Sequence, residues 1–220
     1  MRKERFLLRT IGIEERDLRK ILKGFKAERE SLVFGVDLYF QNRKDRQQAK
    51  RLLKPFVYST RDPLEVLVGK LLKKRGFTLA IAESCTGGML GSLITSVPGS
   101  SHYFLGGVVS YDNKTKEKII KVRRRSLVRF GAVSLEVANE MASGVRKLFG
   151  ADVGIGITGI AGPKGGTKKK PVGLIYIALA AKHFDYVGRF HFSGSRYQIR
   201  LKACYHTMNI LRNFLSGGII

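Results

Sequence analysis

From Gly76 onward the chain alternates short apolar runs with amphipathic segments, and this alternation limits the fold more than any other feature. FTLAIA (77–82), FLGGVVSY (104–111), DVGIGIT (152–158), VGLIYIALAA (172–181) and YVGRFHF (186–192) are strand-length and bounded by turn residues. Between them the pattern predicts a helix after Gly88 and a short one through Ile119. A long one capped by Ser134 follows, with Ala138, Met141, Ala142, Val145 and Leu148 inward, and a last helix runs from about Ser195 to Leu215. Strands that are apolar on both faces need cover on both sides. The expectation is an α/β three-layer sandwich with a mostly parallel or mixed sheet.

Asp62-Pro63-Leu64-Glu65 marks a boundary: an N-cap, a proline at the first helical position and a carboxylate at N3. The helix it opens carries Leu64, Leu67, Val68, Leu71 and Leu72 on one face and closes at Lys73-Lys74-Arg75-Gly76. The domains are therefore set at 1–60 and 61–220. Residues 5–60 read as β-α-β-α. Phe6 and Leu8 start a strand, and Leu18, Ile21, Leu22 and Phe25 mark a helix. The alternation Leu32 to Phe40 marks a second strand, and residues 44–53 a helix burying Ala49, Leu52 and Leu53. The order resembles a small α+β KH-like module, but no GxxG loop is present to clamp a nucleotide backbone.

Lys and Arg exceed Asp and Glu by 24, with the excess on both sides of Gly76. Such a field attracts phosphorylated small molecules and, non-specifically, nucleic acid. A second expectation is thus a catalytically inactive protein that binds nucleic acid or nucleotides through its basic surface. Cys85 and Cys204 lie outside any CxxC pattern, which argues against a disulfide framework or zinc site. The longest apolar runs fall short of the ~20 residues of a membrane span, so a cytoplasmic location without membrane contact is expected.

Gly154, Gly156 and Gly159 satisfy GxGxxG, yet the tract KGGTKKKP prevents the helix that a dinucleotide site requires. Close packing of a glycine strand is the better reading. Glu83-Ser84-Cys85-Thr86-Gly87-Gly88 sits where a buried strand meets a helix, where backbone N–H groups can hold an anion or a developing oxyanion. Ser101, Tyr111 and Lys116 form a third group, the last two at the carboxyl edge of the sheet. The carboxylates after Gly76 are scattered and the four histidines lack HxxxH spacing, so neither a carboxylate pair nor a metal is indicated.

AESCTGG (82–88), GSS (99–101), GGVVSYDNKTK (106–116), GAVS (131–134), TGIAGPKGG (158–166), KPVG (170–173) and FSGSR (192–196) follow one another in this order. With them, residues 62–215 resemble the carboxy-terminal domain of the competence/damage-inducible protein CinA, a family of nicotinamide mononucleotide amidohydrolases. Residues 5–60 look like the KH-like linker of longer members. The resemblance implies hydrolysis of the mononucleotide's carboxamide to the carboxylate and ammonia through a Ser/Lys arrangement, with no metal or cofactor, in a homo-oligomer. It implies Lys116 as base, Tyr111 as its hydroxyl partner, Thr158 and Gly159 as contacts, and Arg196 at the phosphate or the nicotinamide. Ser101 and Ser84 both match family positions. Ser101 is slightly favoured as nucleophile, with Glu83, Ser84, Thr86, Gly87 and Gly88 binding substrate. Lys114, two residues from Lys116, is expected to lower the latter's pKa or to disturb the site.

Overall fold

Two sheets form, one on each side of the Asp62 boundary, in a computed structural model that describes residues 5–218. Residues 1–4 of the expected first domain and 219–220 of the second lie outside the described residues. The first unit runs β1 (Phe6–Thr10), α1 (Glu15–Ile21), β2 (Ala27–Leu32), β3 (Gly35–Phe40), α2 (Arg43–Leu52), β4 (Val57–Ser59). Its sheet order is β2-β3-β1-β4, antiparallel throughout. This corrects the expected β-α-β-α order to β-α-β-β-α-β, the split β-α-β arrangement. The KH resemblance loses its topological basis. The missed strand is AERESL, an edge strand with charged residues on its outer face and no apolar alternation to show it. Leu8, Leu18, Leu22, Leu38, Phe40, Ala49 and Leu53 fill this unit's core, whereas Leu52 and Ile21, expected inside, are exposed.

The second unit continues with α3 (Leu64–Arg75), β5 (Leu79–Glu83), α4 (Met89–Thr95), β6 (Phe104–Val109), α5 (Asn113–Lys118), α6 (Arg124–Phe130) and α7 (Leu135–Phe149). It closes with β7 (Val153–Gly159), β8 (Leu174–Ala181), β9 (Phe184–His191) and α8 (Arg196–Ser216). The sheet order is β6-β5-β7-β8-β9, parallel across β6-β5-β7 and antiparallel beyond. It is the expected mixed sheet with helices on both faces. Pro63 itself occupies the N-cap of α3, while Asp62 pairs with Lys70 at 2.7 Å instead of capping. Gly76 closes the helix at φ 64°. Among the described residues no helix is long and apolar enough to cross a membrane.

The two faces of the sheet differ in side-chain size. Leu79, Ile81, Val153, Ile155, Ile157, Ile175, Ile177 and Leu179 face α3, α4 and α8. The opposite face presents Ala80, Ala82, Ala178 and Ala180 to α7. Gly154 and Gly156 complete that flat surface: a Cβ on Gly156 would lie 2.3 Å from the Ala138 carbonyl oxygen, and one on Gly154 2.2 Å from that of Ala142. The GxGxxG string is therefore the seat of α7, as the packing reading requires. Leu148, expected to face inward, is half exposed. The first unit packs on α8, where Phe34 stacks on Tyr205 with ring centroids 3.5 Å apart.

Candidate active site

β6 and β7 flank β5 on opposite sides, so the chain reverses its direction of winding at the carboxyl end of β5. Open α/β sheets leave a crevice at such a point. Ser84 stands there. Its N–H donates to the Ile157 carbonyl of β7 at 3.0 Å, and the Ser110 N–H beyond β6 donates to the Glu83 carbonyl at 2.8 Å. The chain then turns through Gly87 (φ 57°) and Gly88 (φ 90°) into α4, a left-handed pair that side chains rarely allow.

Glu83 holds this turn from beneath. Its carboxylate accepts the N–H groups of Gly88 (3.1 Å), Leu90 (3.1 Å) and Gly91 (2.9 Å), which the first turn of a helix otherwise leaves unpaired. It is 2% exposed with both oxygens occupied, so the expectation that Glu83 contacts substrate is corrected: it is a structural anchor. Thr86 differs. Its hydroxyl is buried and, among the described residues, has no partner. The N–H groups of Cys85 and Thr86 likewise donate to no oxygen among the described residues. A buried hydroxyl left unpaired costs about 1–3 kcal/mol, and such a cost is commonly retained where a ligand or water completes the bond.

Lys116 reaches the same place from α5. Asp112 caps that helix by accepting the Lys114 N–H at 2.7 Å, which sets Lys116 in the first turns, facing inward. Its side chain is buried, and Nζ lies 3.2 Å from Ser84 Oγ, 2.6 Å from the Ser110 carbonyl oxygen and 3.1 Å from that of Tyr111. Burial lowers its pKa, against the opposing charge of Asp112. Lys114 is exposed, and desolvation rather than like-charge repulsion sets the direction. Cys85, beside Ser84, is pushed up to about 12 by burial and stays a thiol.

Ser101 lies elsewhere. It sits exposed in the 3-10 turn Ser100–His102 that precedes β6. β5 and β6 are parallel, with Leu79 opposite Phe104 and Glu83 opposite Val109, so Ser101 and Ser84 are at opposite ends of the sheet. Six residues of strand at roughly 3.3 Å each separate them by about 20 Å. The preference for Ser101 is corrected: within this chain Lys116 meets Ser84.

Tyr111 meets Lys116 through its carbonyl, not its hydroxyl as expected. The hydroxyl accepts from Arg196 Nη2 at 3.1 Å, and Arg196 Nη1 donates to the Gly162 carbonyl at 2.6 Å. Arg196 thus bridges α8, the Tyr111 segment and the loop after β7. Thr158 is buried and donates to the Ala132 carbonyl at 2.8 Å. Gly159 permits close packing, since a Cβ there would lie 2.6 Å from the Leu174 carbonyl oxygen. Lys170 fastens the basic loop to the segment before α7, its ammonium donating to the carbonyls of Phe130 (2.7 Å) and Val133 (2.6 Å). Arg200 of α8, which donates to the Thr86 carbonyl, was invisible to motif reading because it lies 114 residues from its partner. Among the described residues no cluster of three or more His, Cys, Asp or Glu side chains is placed to hold a metal.

Comparison with known proteins gives a concordant result. The chain is 52% identical over 159 residues to a CinA-like protein of Desulfotalea psychrophila, and 47% identical over 156 residues to one from a Thermotoga species. These matches take in 72% and 71% of this chain but only 38% of each relative, so it spans about two fifths of their length. A competence-damaged protein (CinA) superfamily structure from Klebsiella pneumoniae superposes with a TM-score of 0.68 at 32% identity, covering 70% of this chain and 96% of that one. The competence/damage inducible protein CihA from Agrobacterium tumefaciens superposes with a TM-score of 0.66 at 32% identity, covering 72% and 99%. The family model of the CinA C-terminal domain matches residues 61–215, nearly all of the unit that carries Ser84 and Lys116, and the chain belongs to that family.

Proposed function

We propose that this chain is an amidohydrolase that converts the carboxamide of nicotinamide mononucleotide to the carboxylate, releasing ammonia. The observation that carries the reading is the buried Lys116 Nζ at 3.2 Å from Ser84 Oγ. A neutral lysine amine has two N–H donors and one lone pair. The Ser110 and Tyr111 carbonyls take the two donors, which leaves the lone pair for the Ser84 hydroxyl proton. Burial shifts the lysine towards that deprotonated form.

In the reaction, Ser84 Oγ adds to the amide carbonyl as its proton passes to Lys116 Nζ. The resulting oxyanion needs donors, and the unspent N–H groups of Cys85 and Thr86 lie in the turn directly after the nucleophile. The ammonium of Lys116 then protonates the leaving nitrogen, ammonia departs and an acyl-serine remains. Water, deprotonated by the same amine, hydrolyses the ester and returns the proton to Ser84. Arg196, beside Tyr111 at the rim, suits the phosphate of the mononucleotide. Substrate identity rests on family resemblance. It is tested by incubating the protein with the mononucleotide and measuring ammonia and nicotinic acid mononucleotide. Absence of both at every pH from 6 to 10 would sink the reading.

A further inference from the structure

Arg200 follows Arg196 by one helical turn on α8, so both project from one side of that helix. Its Nε and Nη2 donate to the Thr86 carbonyl oxygen at 3.2 and 2.5 Å. A Cβ on Gly87 would stand 3.3 Å from Nη2, so the guanidinium lies directly over the turn that follows Ser84. That carbonyl already accepts the Met89 N–H at 3.2 Å, the bond that closes the turn leading into α4, so that turn alone does not require the arginine. The same peptide is fixed at its other end as well, the Gly87 N–H donating to the Ser84 carbonyl at 3.1 Å. The turn is thus gripped by a cation at its carbonyl and, through Glu83, by an anion at its amides. Between the two grips lies Thr86, with its N–H unspent and its buried hydroxyl unpartnered among the described residues.

We infer that Arg200 is a positioning residue for the amide hydrolysis proposed above: it locks the Thr86–Gly87 peptide, and through it the Thr86 N–H and hydroxyl that meet the developing oxyanion. The inference rests on that reading of the site. An oxyanion donor works by standing in place before charge develops, so loosening the peptide that follows it slows the chemical step without weakening ground-state binding.

The test uses the full chain with Arg200→Ala, Arg200→Lys, Thr86→Val and the Arg200→Ala/Thr86→Val double variant. Arg200→Ala is expected to lower kcat about 10²-fold with KM changed less than about threefold. Arg200→Lys restores part of that loss, because a single ammonium donor still reaches the carbonyl. Thr86→Val costs less in the Arg200→Ala background than alone, as expected for two residues acting through one peptide. Hydrogen exchange of the amides of residues 84–91 accelerates in Arg200→Ala. A kcat within about threefold of the parent in Arg200→Ala overturns the inference. So does a raised KM with kcat intact, which identifies a substrate contact instead. If the parent protein releases no ammonia, the amidohydrolase reading falls by itself, and exchange decides the clamp: unchanged rates in residues 84–91 of Arg200→Ala overturn it. Should Arg200→Ala fail to fold, Arg200→Lys carries the same kcat, KM and exchange comparison.

Discussion

Replacing Glu83 by Gln separates an anchor from a substrate contact. The carboxylate accepts three N–H groups, two at Oε2 from Gly88 and Leu90 and one at Oε1 from Gly91. A glutamine keeps one acceptor oxygen. Oriented best, it retains the Gly88 and Leu90 bonds but sets its own NH2 against the Gly91 N–H. Loss of that charge-assisted bond costs about 1.5–3 kcal/mol. The two survivors fall to neutral strength, roughly half as strong. The sum is about 3–6 kcal/mol, which at about 2–4 °C per kcal/mol for a chain of this length lowers Tm by about 6–24 °C. Urea and thermal unfolding followed by circular dichroism measure it. The control is Glu136→Gln, an exposed position without a side-chain hydrogen bond, expected within about 0.5 kcal/mol of the parent. If Glu83→Gln unfolds at the parent's midpoint while KM for the mononucleotide rises tenfold, the anchoring argument is wrong and Glu83 touches substrate after all.

Three further outcomes follow from the geometry. Ser84→Ala should abolish amide hydrolysis and Ser101→Ala should leave it near the parent level; a rapid-quench acyl adduct found on Ser101 by mass spectrometry would refute the assignment. Lys116→Met should remove the acid limb of kcat/KM, which in the parent reports an amine titrating below the ordinary lysine value of 10.5. Across the same window the unfolded chain binds more protons than the folded one, so this lysine adds stability as pH rises towards 10.5 and removes it as pH falls. The difference in unfolding free energy, parent minus Lys116→Met, should therefore climb with pH; a flat difference contradicts a lowered lysine. Gly156→Ala must drive α7 off the sheet, because its Cβ would lie 2.3 Å from the Ala138 carbonyl oxygen. Overpacking costs of about 1–3 kcal/mol are expected, and an unchanged urea midpoint counts against that seat.

Legibility in the sequence followed the range of the interactions involved. The strand-turn-helix before and after Gly88, the Gly76 stop, the Ser134 cap and the start of the last helix near Ser195 are set within a few residues, and the structure reproduces them. The edge strand at 27–32 was missed because its pairing with β3, not its own apolar pattern, makes it a strand. The three-layer class was readable because both faces of β5, β7 and β8 are apolar, and close packing at Gly154 and Gly156 because the small residues alternate with large ones; that α7 is what packs there came from the structure.

Within the site, the residue types were evident and their partnerships were not. Ser84, Ser101 and Lys116 stand in order along the chain with equal chemical promise, and Ser101 is closer in sequence to Lys116. The parallel pairing of β5 with β6 reverses that nearness, because a parallel crossover returns the chain to the opposite end of the sheet before β6 begins. Composition, periodicity and caps act through neighbours along the chain, so the amino-acid order alone settles the α/β class and the turn at 84–88. Which hydroxyl meets the lysine, that burial lowers its pKa, and that Arg200 grips Thr86 from 114 residues away depend on strand register and helix packing. Those distances exist only once the sheet has closed, because no local preference of Ser84, Lys116 or Arg200 encodes them.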